Sequence, residues 1–268
     1  NKIFEGENYF PYQIFPNKAY LKHKTLQLRN GGNDNGSRIK DAALQTIVLS
    51  SGLEVDGQEC QPVAHFINGE YKGMLNIREP NNKHYIEANY ALNEDEIDQF
   101  EISSEGFVFK CGTSESFDTW KALSANASTA SIYQKICDMV DIDEYINYMA
   151  VQLYLGGDDW PHNNLKAFKP RREGGKYRFV LFDLDFAFNR TENSFLAFED
   201  NKSWLEVAEI FVNMLQNADF RKQFIDAYCL VAGSVFTPDR CNAIIDSMAR
   251  NTELVLGYDG QSPWGTAN

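Results

Sequence analysis

Two groups of oxygen-bearing side chains lie close together in the chain and could hold a metal ion and a reacting hydroxyl. The first is Asp158-Asp159-Trp160-Pro161-His162-Asn163-Asn164. The second is Asp183-Leu184-Asp185, directly after the apolar run Phe179-Val180-Leu181-Phe182. An acid with an amide five residues later, followed by two carboxylates at the end of a buried strand, is an order suited to phosphoryl transfer. That reaction needs little covalent help. It needs a divalent cation against the phosphates and a carboxylate that positions the attacking hydroxyl.

The spacing leaves the register open, because Asp158 to Asn163 and Asp159 to Asn164 are equal gaps. Asp and Asn also crowd loops simply because they cap and turn them. Pro161 fixes its own φ and pushes Trp160 away from helical values, so a rigid, extended loop is expected here. The second group weighs more. Lys176 to Phe182 has the aromatic and β-branched content of a strand buried on both faces. If that strand continued, Asp183 and Asp185 would point the same way, with Leu184 on the other side. Two converging carboxylates repel and are costly to desolvate unless a cation neutralises them. Oxygen ligands favour Mg²⁺ or Mn²⁺ over zinc.

Four separated motifs, in order, give the chain a resemblance. They are Leu28-Arg29-Asn30-Gly31-Gly32-Asn33-Asp34, Phe66-Ile67-Asn68-Gly69-Glu70-Tyr71-Lys72-Gly73, the Asp159-Trp160-Pro161 to Asn164 loop, and Asp183-Leu184-Asp185. Together they resemble the CotH (spore coat protein H) family of atypical kinases, from about residue 20 to the C-terminus. The resemblance implies an α+β, divergent protein-kinase-like fold that uses ATP and Mg²⁺ or Mn²⁺ to phosphorylate Ser or Thr of a protein substrate. By position it implies Asp159 as the catalytic-loop acid, Asn164 as a metal ligand, and Asp183 and Asp185 as the metal-binding pair. It also implies one domain over 1–268, with a mixed N-terminal part (1–113) and a mainly helical part (114–268) carrying the catalytic loop. Family members carry a Gly/Ser-rich stretch and a lysine-bearing strand ahead of this region, so the expected nucleotide lobe is N-terminally incomplete. Arg29, with Lys18, Lys22 and Lys24, could contribute positive charge there. Lys166, just past the acid, could steady a γ-phosphate, and Glu79 could pair with a phosphate-binding lysine.

Two other readings compete. A haloacid-dehalogenase-type phosphatase also ends a buried strand in Asp-x-Asp, but it places Thr or Val where this chain has Ala187, and places the motif early in its sequence. A catalytically silent surface or coat protein would keep the fold for binding alone.

Composition bounds these readings. The chain has 268 residues, 43% of them hydrophobic and 13% aromatic, enough to bury a sizeable core. A formal net charge of −13 argues against a nucleic-acid substrate and would attract a basic protein. Cys60, Cys111, Cys137, Cys229 and Cys241 have no close pairing, and His23, His65, His84 and His162 are scattered, so a zinc site is not expected. No apolar run is long enough for a transmembrane helix, and no basic-then-apolar leader opens the chain. A removed signal would look the same, so an exported or cell-surface protein remains open.

The elements that must position the acids are legible in outline. Lys24 to Arg29 alternates like a strand, and Asn30 to Gly36 is a Gly/Asn loop before a helix over 38–49. Asn68-Gly69 predicts a tight hairpin between Val63–Ile67 and Gly73–Ile77. Asp141 to Glu144 reads as a capping box for a helix running to Gly156-Gly157, which delivers the acid-bearing loop. Lys166 and Lys169 fall on a short strand. Ser203 to Glu206 reads as a second capping box, and Thr237-Pro238 as a further helix start. Between them Phe211, Met214, Leu215, Phe220, Phe224, Ile225 and Tyr228 are the expected core.

Overall fold

A computed structural model describes residues 6, 8–34 and 37–256. Residues 35 and 36 of the Gly/Asn loop lie outside the described set. Among the described residues the chain is α+β, with two sheets and nine α-helices. It divides into two compact units, one built from residues 1–47, 58–93 and 238–268, the other from 48–57 and 94–237.

The first unit has a three-stranded antiparallel sheet in the order β1 (Gln27–Arg29), β4 (Glu70–Arg78), β3 (Cys60–Ile67). The hairpin expected at Asn68-Gly69 is present. Ile67 pairs with Glu70, and both turn residues take positive φ, 52° and 83°. That combination suits the two-residue turn whose twist matches the strands. Helices α1 (Lys40–Leu49, to Ile47 in this unit), α2 (Lys83–Tyr90) and the C-terminal α9 (Pro238–Leu256) complete it. Pro238 opens α9, where its missing N–H costs nothing. Two bonds tie α9 to this unit: Arg240 Nη2 donates to Ile47 O (2.8 Å) and Tyr71 OH to Val255 O (3.4 Å). The strand expected over 24–29 is shorter, and α1 starts at Lys40, where Asp34 accepts the Lys40 N–H and the Ser37 hydroxyl.

A polar network runs through this unit's core. Arg78 is 1% exposed and its guanidinium meets Asp41 of α1. Gln45 Nε2 donates to Asp41 (3.0 Å), and Gln45 Oε1 accepts the Gln58 N–H (2.9 Å). Buried ions persist only when paired and hydrogen-bonded in this way.

In the second unit, five strands lie in the order β2 (Asp56–Gly57), β8 (Arg178–Leu181), β7 (Leu165–Pro170), β5 (Ile97–Ser103), β6 (Gly106–Cys111). Only the short β2–β8 pair is parallel among these. Phe179, Val180 and Leu181 of β8 are each buried, as the continuous apolar run predicts. Helices α3 (Glu115–Ser124), α4 (Ala130–Cys137), α5 (Ile142–Leu155), α6 (Ser194–Asp200), α7 (Glu206–Met214) and α8 (Ala218–Leu230) follow. Their core is aromatic. Tyr145 and Tyr148 of α5 both stack on Phe179 at 5.0 Å, and Trp120 stacks on Tyr177 at 5.5 Å. Offset ring packing of this kind adds to the area each ring buries.

Neither expected capping box forms. Asp141 makes no cap bond; its carboxylate takes the Arg178 guanidinium instead, and Glu144 accepts the Phe179 N–H (3.1 Å). Burial, then the Asp56 charge, pushes the Glu144 carboxyl well above the usual range. These side chains bolt α5 to β8, a tertiary use that outcompetes the local cap. Helix α7 is likewise preceded by Leu205 with no side-chain cap. Of the expected helical core, Phe211, Met214, Phe220 and Phe224 are buried, whereas Ile225 and Tyr228 lie on the solvent side of α8.

Candidate active site

Helix α5 ends at Gly156, which takes left-handed φ (54°) and donates its N–H to Gln152 O at 3.0 Å. A Cβ here would come within 2.6 Å of Ser194 Oγ, so both the conformation and the space favour glycine. The chain then runs as successive turns to Asn164, not as the extended loop expected from Pro161. Trp160 pins it. Its ring is 5% exposed and stacks on Phe198 of α6 (5.1 Å, 12°), and its Nε1 donates to the Tyr148 hydroxyl at 3.1 Å. Asp158 is thereby left exposed, while Asp159 is turned inward.

Asp159 Oδ2 accepts a 2.6 Å hydrogen bond from Asn164 Nδ2. That bond commits the amide's donor to the acid, leaving its oxygen as a neutral ligand atom. Asn164 takes φ 56°, and so, across the site, does Asp183 at 57°. Positive φ is uncommon outside glycine and clusters where function fixes a side chain's direction. At Asp183 it also corrects the sequence expectation. Strand β8 stops at Leu181, so Asp183 follows it in irregular backbone and Asp185 opens a turn; Leu184 and Asp185 are both buried, and Asp183 only partly. Asp159, Asn164, Phe182, Asp183 and Leu184 line one small cavity.

The two acid-bearing segments are stitched together by backbone. Phe188 N donates to Leu155 O (2.6 Å) and Arg190 N to Gly156 O (3.4 Å). The Arg190 guanidinium adds bonds to Gly157 O (3.2 Å) and Asp158 O (3.4 Å). Nothing in the sequence singled out Arg190 or Trp160 for this role.

Charge accumulates at this place. Burial first, then the Asp183 charge, with Asp185 and Asp158 adding less, pushes the Asp159 carboxyl up to about 6. Like charges in a partly desolvated cluster produce this shift, and a hard divalent cation would relieve it. The donors present fit such an ion, being carboxylate and amide oxygens. Among the described residues no three His, Cys, Asp or Glu groups converge closely enough to hold a metal alone, so ligands from water or a bound phosphate would complete the shell.

The sequence model described as CotH kinase protein matches residues 2–266. The chain belongs to this family. The match begins well ahead of residue 20, from about which the motif resemblance runs. No curated protein matches the chain significantly.

The remaining candidate residues are Lys166, Glu79 and Arg29. Lys166 Nζ, on β7, lies 3.0 Å from Glu101 and 5.1 Å from the centroid of the ring of Phe182, one of the residues lining the cavity. Glu79, in the first unit, is fully buried. It accepts from the Tyr20 hydroxyl, Asn89 Nδ2 (2.8 Å) and Glu59 N (2.8 Å), with Lys18 Nζ at 3.3 Å. Arg29 lies on β1, its Cα opposite Asn76 of β4. His162, inside the acid-bearing loop, is exposed. All five cysteines are free thiols. No helix among the described residues is long and apolar enough to cross a membrane.

Proposed function

We propose that this member of the CotH kinase family is a metal-dependent protein kinase of divergent kinase-like fold, transferring the γ-phosphoryl of ATP to Ser or Thr of a protein. The supporting observation is the carboxyl of Asp159, raised beside Asp183 and Asp185 and bonded to Asn164. In this reading Asp183, Asp185 and the Asn164 amide oxygen hold Mg²⁺ or Mn²⁺, which would neutralise charge on the phosphates. Neutralising Asp183 and Asp185 also lowers the Asp159 pKa, so that its carboxylate accepts the hydrogen bond of the attacking hydroxyl. Asn164 fixes the direction of that carboxylate. Trp160 and the Arg190 bonds hold the loop so that little reorganisation is needed at the moment of transfer. The net charge of −13 favours a basic protein substrate.

Calorimetric titration of ATP with and without Mg²⁺ tests the reading. Metal-dependent binding is expected, with loss in Asp183→Asn and in Asp185→Asn. Wild-type affinity in both variants would overturn the ligand assignment. Asp159→Asn should keep metal-dependent binding and lose transfer. A chain that binds no Mg-ATP would instead be a silent member that keeps the fold for binding.

A further inference from the structure

The first unit contains a concavity of about 600 Å³ that the phosphotransfer reading does not use. We propose that it binds a small aromatic anion, a planar ring carrying one carboxylate or phosphate. Its size falls within the range of small-molecule pockets. Two kinds of group face it. Tyr9 and Tyr20, with Leu21 and Ala88, offer ring faces and aliphatic surface. Lys22, Lys24 and His84 offer donors, with Glu87 as the opposing carboxylate.

The charges are unevenly matched. Lys24 pairs with Glu87, and His84 Nδ1 lies 3.2 Å from the same carboxylate. Partial burial would raise Glu87, but the hydrogen bonds from Lys24 and His84 hold it below the ordinary carboxylate range, so it stays ionised. One acid therefore serves both neighbours. Lys22 has no carboxylate partner among the described residues. Its Nζ lies 5.1 Å from the centroid of the Tyr9 ring, within cation–π range. Among the described residues the result is an ammonium over a ring face with no carboxylate partner, on a chain whose net charge is −13. A ring that stacks at Tyr9 would bring an attached anion to Lys22, and a charge-assisted bond would hold it there. An uncharged ring would gain only the stacking.

Titration calorimetry on the full chain, with phenyl phosphate and benzoate as probes and phenol as the neutral control, tests this. The expected result is saturable binding of at least one anion, with phenol on the order of tenfold weaker. Lys22→Glu should weaken the anion by about tenfold or more and leave phenol little changed. Tyr9→Ala should weaken anion and phenol together. Asp183→Asn, in the other unit, should leave the probe's affinity as in wild type, which separates this site from the phosphotransfer reading. No saturable binding of either anion would overturn the proposal. So would binding that Lys22→Glu leaves intact, or binding lost in Asp183→Asn, since the probe would then occupy another place. Thermal unfolding of Lys22→Glu at the wild-type temperature confirms that a loss comes from the cavity and not from the fold.

Discussion

Two sets of inward-facing carboxylates, one in each unit, have opposite surroundings. In the first, Asp41 meets the Arg78 guanidinium and the Gln45 amide, and Glu79 collects a hydroxyl, an amide, a backbone N–H and a nearby lysine. In the second, burial, then the Asp183 charge, with Asp185 and Asp158 adding less, raises the Asp159 carboxyl. Acids answered by donors hold a fold together. Acids that raise one another's pKa are costly to desolvate unless a cation or donor offsets their charge. Burial alone does not draw that contrast, because Glu79 and Glu144 are more deeply buried than Asp159.

The strongest way to break the contrast is Arg78→Met. It leaves Asp41 buried without its ionic partner and should cost about 3–5 kcal/mol in chemical denaturation. Combining it with Asp41→Leu should recover most of that loss, since an apolar pair replaces the ionic one. A single variant that loses less than ~1 kcal/mol would place the pair among the weak surface bridges instead.

A smaller effect sharpens the other side. The Asp159 carboxyl titrates at about 6 in the folded state against an ordinary 3.8. Between those values the folded state binds the proton more tightly than the unfolded chain, so metal-free stability should fall as pH rises through this window and level off above it. Denaturation curves at stepped pH should show a flatter dependence for Asp159→Asn, and added Mg²⁺ should flatten the wild type as well. An identical slope in the variant would remove Asp159 as its source.

The smallest change is expected from Arg190→Ala, which deletes the bonds to Gly157 O and Asp158 O. About 1 kcal/mol of stability should go, together with slower-exchange protection of the amides around Asp158 to Trp160 in hydrogen exchange. Unchanged exchange there would show that Trp160 alone fixes the loop.

Much of this was legible because it is local. Asn68-Gly69 dictates a tight hairpin from two residues' backbone freedom, Pro238 marks the first turn of a helix, and four consecutive apolar residues ending in Asp183 mark a buried strand and its end. The acids were found by type and spacing. Their orientation was not, because Asp183 takes a left-handed conformation that no spacing rule anticipates and that ends the strand extension. The capping boxes failed for a related reason. Asp141 and Glu144 have the right residues for a local cap, but Arg178 and the Phe179 N–H, distant in sequence, offered them stronger partners.

By itself, then, the sequence determined the family, the α+β class, the hairpin, the helix that leads into the acid-bearing loop and the acid and amide side chains that follow it, since each depends on residue type within a short window. Tertiary structure alone decided that Asp159, and not the exposed Asp158, lines a cavity with Asp183, that Trp160 and Arg190 hold the loop, and that the C-terminal helix packs with the first unit. Those outcomes depend on which side chains meet across long stretches of chain, where burial and charge pairing set the energy and local propensity does not.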